Sequence, residues 1–411
     1  MKPTKHLYTT VRQLLMISIV LLAIGACKKM DATYREYLGD GEINYTSKAD
    51  SLRAFPGENR IKLAWLATTD PKVVKAVITW NNGENSREHP ISPTPGKVWE
   101  EVLLENMAEG NYAFQVITYD TEGNKSITSS TQGSAFGAQY KSTLQQRKIR
   151  NSGIYATDEA LDIDWYAAPQ DVVGTEVEYT NINGQLKTVI IPASQKLSSI
   201  TETRLFTSFR YRTLLLPHPL GIDTFRTEYI TVNPQTHYLR NMGRYPVVNG
   251  LGFERNTAPF DNVMGTLKDW KINDVVNTRN GMVGYGTYEL LSGAGNLSMQ
   301  GGASGRPVFT NGKIWQTTNL PAGKYRFTTG GLSISNNSIN TRHQVVAIGD
   351  ELPNRENLAT QALAYNNIAN PADVVLEFTL TAKTRVSIGF VASFSGGHWL
   401  KCTAVYLDKI D

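Results

Sequence analysis

From Arg60 onward the chain alternates apolar and polar positions with a period of two. Ile61, Leu63 and Trp65 alternate with Lys62 and Ala64, and Tyr112, Phe114, Val116 and Thr118 with Ala113, Gln115 and Ile117. Successive side chains on a strand point to opposite faces, so this period predicts half-buried strands. Between these runs lie Val77-Ile78 leading into Trp80, a turn at Asn81-Asn82-Gly83, a short run over Val102–Leu104, and later the polar hairpin-like loop Asp120–Asn124. Residues 57–138 therefore read as one small sandwich of short strands.

The plan returns 100 residues further on, where Leu161-Asp162-Ile163-Asp164-Trp165 mirrors Ile61-Lys62-Leu63-Ala64-Trp65. A strand and an Asn/Gly turn follow each tryptophan, over Val77–Gly83 and Val177–Gly184, and Phe209–Leu214 parallels Tyr112–Ile117. The pattern predicts a tandem repeat, with residues 139–235 as its second copy. Each Trp is a ring large enough to fill the space between two sheets. Asp162 and Asp164 fall on one face of the predicted strand and Leu161, Ile163 and Trp165 on the other, which makes the two carboxylates a wet face rather than an acid/base pair.

Residues 236–248 read as a linker, extended at Tyr245-Pro246. Residues 249–411 read as a third, larger β domain. A strand around Ile314 and Gln316 turns at Pro321-Ala322-Gly323 and returns as Tyr325 and Phe327; Val374–Leu380, Val386–Val391 and Val405–Ile410 supply further strands.

The first 27 residues break this pattern. Lys2, Lys5 and Arg12 form a cationic start, Leu14–Ile24 is uncharged and apolar, and Ile24-Gly25-Ala26-Cys27 follows. The apolar stretch suits a signal-peptide core and is short for a spanning helix. The last four residues resemble the bacterial lipobox, which implies cleavage after residue 26, acylation of Cys27 and a tether over 27–56. An ordinary signal peptide with an incidental cysteine is the alternative.

Composition narrows the function. With 41% hydrophobic and 19% charged residues the chain is globular. The formal charge is +4, part of it in the first 30 residues, and no basic stripe with interleaved aromatics follows, so nucleic acid is not an expected partner. Cys27 and Cys402 are the two cysteines; with Cys27 acylated, Cys402 reads as a small buried hydrophobe, with His398 the one hint of a nucleophile's partner. No Gly-x-Ser-x-Gly elbow, His-Glu-x-x-His or paired-cysteine motif occurs, and Gly281–Gly286 has the wrong spacing for a phosphate loop. No enzyme is expected.

Three resemblances add to this. The Trp in the second core strand and the late Tyr-x-Phe-x-Val strand resemble fibronectin type III modules. Residues 31–235, through Tyr37–Tyr45 and Gly57-Glu58-Asn59-Arg60, resemble an uncharacterised family of outer-membrane lipoproteins of the Bacteroidetes. Asn249–Glu254, Trp270 and the Asn311–Thr317 and Leu320–Phe327 blocks resemble the galactose-binding-like jelly roll of carbohydrate-binding modules. Together they imply an all-β chain: two tandem immunoglobulin/fibronectin III-like β-sandwiches followed by a jelly-roll β-sandwich.

The last resemblance implies a structural calcium between the opening and final strands, for which Glu254 and Asp408 supply hard oxygen ligands; two solvated carboxylates are the alternative. No other cofactor is required. Sugar recognition uses flat rings and planar polar groups. Candidate rings are Trp399, Trp315, Tyr285 and Tyr288, with Trp270 expected in the core. Trp315 lies opposite in face to Ile314, so its exposure is an expectation. Trp399 follows Ser395-Gly396-Gly397-His398 and is the leading candidate, with His398 beside it. Arg342 and His343, after Asn336-Asn337, are the weaker pair. The expected function is non-catalytic binding of a polysaccharide or oligosaccharide by a lipoprotein on the outer membrane, alongside a transporter complex and glycosidases. The alternative is a structural or adhesive lipoprotein acting through protein contacts.

Overall fold

A computed structural model describes residues 44–67, 70–92, 98–244, 251–256, 262–279, 282–283, 286–302, 305–335, 341–372 and 374–411. Cys27, the start of the tether and Tyr285 lie outside these residues. The chain is all-β, and it divides into two compact units. The first runs to Tyr140 and includes Leu220–Asp223; the second holds Lys141–Pro219 and Thr224–Asp411.

In the first unit, β1 (Asp50–Glu58), β2 (Arg60–Leu66) and β5 (Trp99–Glu105) form one sheet; β4 (Asn85–Pro90), β3 (Val73–Trp80), β6 (Gly110–Asp120) and β7 (Ser129–Phe136) form the other. β1 belongs to both, because its last two residues leave β2 and run parallel to β7. This is the strand order of a fibronectin type III sandwich. Ile61, Leu63 and Trp65 are fully buried with Phe114 and Val116, so the period-two faces meet in one core. The polar loop after β6 is closed by Asp120, whose carboxylate accepts from the amides of Glu122 and Asn124 and from the Asn124 side chain. These bonds, led by that from the Asn124 side chain, hold the Asp120 carboxyl below its usual range. Asp223 anchors its own segment to this sandwich: it accepts from Glu58 N at 2.8 Å and Arg60 Nε at 2.9 Å.

In the second unit the same order recurs. β12 (Leu197–Ile200), β9 (Ala160–Trp165), β8 (Ile149–Tyr155) and β16 (Gln235–His237) form one sheet. β11 (Leu186–Pro192), β10 (Val172–Thr180), β13 (Phe209–Leu215) and β14 (Phe225–Arg226) form the other, with β15 (Ile230–Val232) also on β13. β16 runs parallel to β8, as β7 does to β1. Trp165 is fully buried at the place Trp65 takes in the first module. Its indole N–H donates to Ser198 Oγ at 2.8 Å. The guanidinium of Arg147 lies 5.1 Å from its ring and donates to the carbonyls of Tyr166, Pro192 and Gln195.

The stretch 236–248, expected as a linker, is built into the fold over its described part. Residues 236–237 belong to β16, and Tyr238 and Leu239 are buried in the core of the C-terminal domain. Alternation hid this because the segment leaves one core and enters the next within three residues.

The C-terminal domain surrounds that core with antiparallel sheets. The first is β17 (Met264–Gly265), β21 (Tyr288–Leu291), β22 (Ala294–Gly301), β30 (His398–Cys402) and β25 (Ser333–Ile334). The second is β18 (Lys271–Ile272), β23 (Phe309–Leu320), β29 (Thr384–Phe394), β26 (Arg342–Ile348) and β27 (Ala364–Asn367). β28 (Val374–Leu380), β24 (Gly323–Gly330) and β31 (Ala404–Lys409) form a third, and β19 (Thr278–Arg279) pairs with β20 (Met282–Val283). The turn at Pro321–Gly323 thus carries the chain between sheets rather than making a paired hairpin. Gly243 joins the opening of the domain to its end: at φ +70° a Cβ there would lie 2.3 Å from Thr403 O and 2.6 Å from the Phe253 ring, a position only glycine fits. Trp270 and Cys402 are buried as expected.

Candidate functional site

The sheet containing β22 and β30 turns Leu297, Met299, Leu400 and Cys402 inward to the core. Its other face follows from the register. Gln300 stands opposite Trp399, Ser298 and Ser333 opposite Lys401, and Asn296 opposite Glu289. Directly opposed residues share a face, so these form one polar row on it, buried at Glu289, Asn296 and Ser298 and open at Trp399 and Ser333.

Most of that surface is bonded internally. The Glu289 carboxylate accepts from Ser298 Oγ, Gln300 Nε2 and Lys401 Nζ. Gln300 Oε1 accepts from Arg306 at 2.8 Å. The carboxamide plane of Gln300 is therefore fixed beside Trp399. Trp399 itself is 37% exposed, and its indole N–H donates to Ser333 Oγ at 3.3 Å. The ring is thus pinned at its edge.

Behind it, Ser335 collects three of the residues singled out in the sequence. Its Oγ accepts from the amide of Trp399 at 3.2 Å and from Arg342 Nη2 at 3.1 Å, and it lies 3.3 Å from His398 Nδ1. Arg342 is not a solvated loop residue: it opens β26, is 2% exposed, and also donates to Ser335 O at 2.9 Å. It is unavailable to a sugar and instead supports Ser335. His398 meets Phe394 edge-on at 6.1 Å. Ser335 itself was not visible as a functional residue, because an isolated serine before Asn336-Asn337 reads only as turn chemistry.

Trp315 corrects an expectation. It does lie opposite in face to Ile314, but it is 8% exposed, packed with Val345, Leu352, Leu358 and Val391. Its indole N–H donates to Asp350 O at 2.9 Å. His343, on the same face, is buried, and that burial, with Arg355 second, depresses its basicity below that of an ordinary histidine. Tyr288 is buried in the core.

The calcium candidates are not brought together by any bond. The Glu254 carboxylate pairs with Lys268 at 2.8 Å, and Asp408 stands opposite Arg326 in β31. Among the described residues no group of three or more His, Cys, Asp or Glu side chains is placed to hold a metal ion. Burial pushes the Cys402 thiol far up, which removes it as a nucleophile.

A second feature was not foreseen as a site. A cleft of about 550 Å³ crosses the outward face of β8, β9 and β12 and is closed by Arg240 and Asp269. Asp162 and Asp164 are the wet face expected of them, and both line this cleft. Arg240 dominates it. Its guanidinium lies 4.0 Å over the Tyr155 ring and binds Asp158 at 3.0 Å as well as Asp162. Its backbone N–H donates to Gln316 Oε1 at 2.9 Å and its carbonyl accepts from Gln316 Nε2. The arginine so fixed joins the second module to the C-terminal domain and neutralises two of the carboxylates.

Residues 27–225 match a family model described as a domain of unknown function, DUF4998. Residues 250–389 match a second domain of unknown function, DUF5013. No curated protein matches the chain. A two-domain fibronectin type III segment of chicken tenascin is similar at 14% identity and TM-score 0.19, covering 45% of this chain and 98% of that one. The FN1–FN3 domains of chicken CNTN1 are similar at 10% identity and TM-score 0.29, covering 46% of this chain and 68% of that one. The fibronectin type III-like character of the two modules rests on their strand order and register. Among the described residues no helix is long and apolar enough to cross a membrane.

Proposed function

We propose that the chain is a lipid-anchored cell-envelope protein that binds carbohydrate without turning it over, and that Trp399 is its platform. One observation carries this reading. A tryptophan on the outward face of a sheet is left 37% exposed, while its edge and backbone are held by Ser333 and Ser335. Such a ring packs on the apolar face of a pyranose. Ser333, exposed on the same face, supports the reading as the hydroxyl nearest the ring's edge. One platform buries little area, so affinity is modest. Acylation of Cys27 is part of the reading, with the first module as spacer.

Native affinity electrophoresis through gels containing glucan, xylan, mannan, galactan or pectin tests it. Retardation in at least one gel, lost in Trp399→Ala and kept in Trp315→Phe, is expected; no retardation in any gel sinks the reading. Palmitate labelling in cells, absent in Cys27→Ser, tests the anchor separately.

A role in protein contacts has one observation in its favour. The edge strand β11 leaves Leu186 63% and Ile190 59% exposed. Cross-linking at Leu186→Cys that captures a second protein, in a chain that binds no polysaccharide, decides for it.

A further inference from the structure

We propose that β11 of the second module is a docking edge for a second copy of this chain, the two β11 strands pairing antiparallel about a two-fold axis at Thr188. The pairing rests on the protein-contact reading of this edge and leaves the carbohydrate reading untouched.

The backbone groups that β10 uses decide which ones β11 leaves open. The two strands are antiparallel in one unbroken register, with Gly174 opposite Pro192 at one end and Thr180 opposite Leu186 at the other. Just beyond these ends the Asn181 amide donates to Gln185 O at 2.8 Å and the Ala193 amide to Val173 O at 3.4 Å. Bonded and non-bonded pairs alternate along an antiparallel ladder. Lys187, Val189 and Ile191 therefore bond to β10, and the N–H and C=O groups of Leu186, Thr188 and Ile190 point the other way. β11 is the last strand of its sheet, and among the described residues no bond is made to these groups. The open stretch ends at Pro192, which lacks an N–H and whose carbonyl accepts from Arg147 Nη1 at 3.4 Å.

What this edge exposes is complementary to itself. Thr188 and Ile190 share the outward face with Glu178 and Glu176, while Ile191 points into the core. Leu186 is 63% and Ile190 59% exposed. An axis at Thr188 sets Leu186 opposite Ile190 of the second copy and Thr188 opposite its own equivalent. Each such pair exchanges both of its backbone bonds, and the exposed aliphatic side chains meet across the junction. Lys187, the one charged residue of the strand, then faces Val189. Moving the axis by one residue sets Leu186 against Pro192, which has no N–H to give, or Lys187 against Lys187. The register at Thr188 avoids both.

β4, the corresponding edge of the first module, is closed to such pairing. There the Ile91 amide donates to Val74 O, so Ser86, Glu88 and Pro90 carry the outward backbone groups. A proline removes a donor and a glutamate brings a charge, both of which keep sheet edges apart. Leu186, Thr188 and Ile190 do neither.

One strand pair is a small interface, so association is weak and reversible. Sedimentation velocity on the full chain should show the mass rising from one chain toward two with concentration. Thr188→Glu and Thr188→Lys, at an exposed position, should each weaken self-association about tenfold. An equal mixture of the two variants should restore it, because opposite charges then face each other. Oxidation should link Thr188→Cys to itself through residue 188, where opposed positions lie within disulfide reach, and should not link Lys187→Cys. A single-chain mass at every concentration overturns the pairing, and so does a dimer that both charged variants leave intact. Capture of a different protein at Leu186→Cys, with no self-association, overturns the second copy as partner and leaves the protein-contact reading standing.

Discussion

Trp315 and Trp399 occupy matching places on the two five-stranded sheets of one domain. Ile314 and Leu400, their neighbours in sequence, both point into the shared core, and both indoles turn away from it. One ends 8% exposed and the other 37%. The difference is a cover. Between β26 and β27 the chain makes a 3-10 turn at Arg355–Asn357 and a short helix at Leu358–Gln361, and lays Leu352 and Leu358 over Trp315. Asp350 in the same segment takes the indole proton. Among the described residues the Trp399 indole N–H donates to the hydroxyl of Ser333. An indole whose hydrogen bond is satisfied under aliphatic side chains serves stability; one pinned at its edge with a face open is left available for a ligand.

The largest expected effect comes from removing the covered ring. Trp315→Ala leaves a cavity between β23, β26 and the covering segment, and should destabilise by about 3–5 kcal/mol. Urea denaturation followed by circular dichroism measures it; a loss near that of a surface substitution would show that the cover does not seal. Next is the cover itself. Leu358→Ala should cost about 2–4 kcal/mol and should also raise acrylamide quenching of indole fluorescence, because Leu358 is 2% exposed against Trp315. Destabilisation without added quenching would place Trp315 under a different lid.

How much of this was legible follows from the same pair. The period of two placed Trp315 opposite Ile314, and it placed Trp65 and Trp165 in matching cores, because strand side chains alternate regardless of what lies above them. It could not say which outward face is covered. That depends on where 349–363 folds back, a contact between segments with no local signature. Ser335 is hidden for a related reason: its value lies in three partners from two other strands, β26 and β30. Trp399, His398 and Arg342 all carry a signal in the sequence, yet only the first faces outward; the polar Asn336-Asn337 pair reads as turn chemistry, and nothing in the alternation marks Arg342 as the start of a buried strand. The linker at 236–248 failed likewise, since a segment that passes between two cores shows no alternation in either.

Two histidines extend the contrast. His343 lies on the covered side and is 6% exposed; burial first, then Arg355, keeps it neutral below the ordinary histidine range. The unfolded chain takes up this proton below about pH 6.5, where the folded chain still resists it. Its contribution to stability is therefore full above that value and is lost as pH falls from there toward the depressed folded value. His343→Phe, which keeps a ring and removes the titration, should flatten the fall in urea midpoint between about pH 7.5 and 5.5. An unchanged slope would assign the fall to other groups.

The smallest effect on stability belongs to the open ring. Trp399→Ala removes a side chain already part in water, from a face whose other members bond to one another through Glu289, and should cost about 1 kcal/mol. Stability is the informative control here. Were Trp399→Ala to cost as much as Trp315→Ala, the ring would be a structural pin that happens to show an edge, and loss of polysaccharide retention in that variant would say nothing about recognition. A nearly unchanged urea midpoint, together with lost retention, separates the two tryptophans in kind: identical in alternation, opposite in what their outward faces are for.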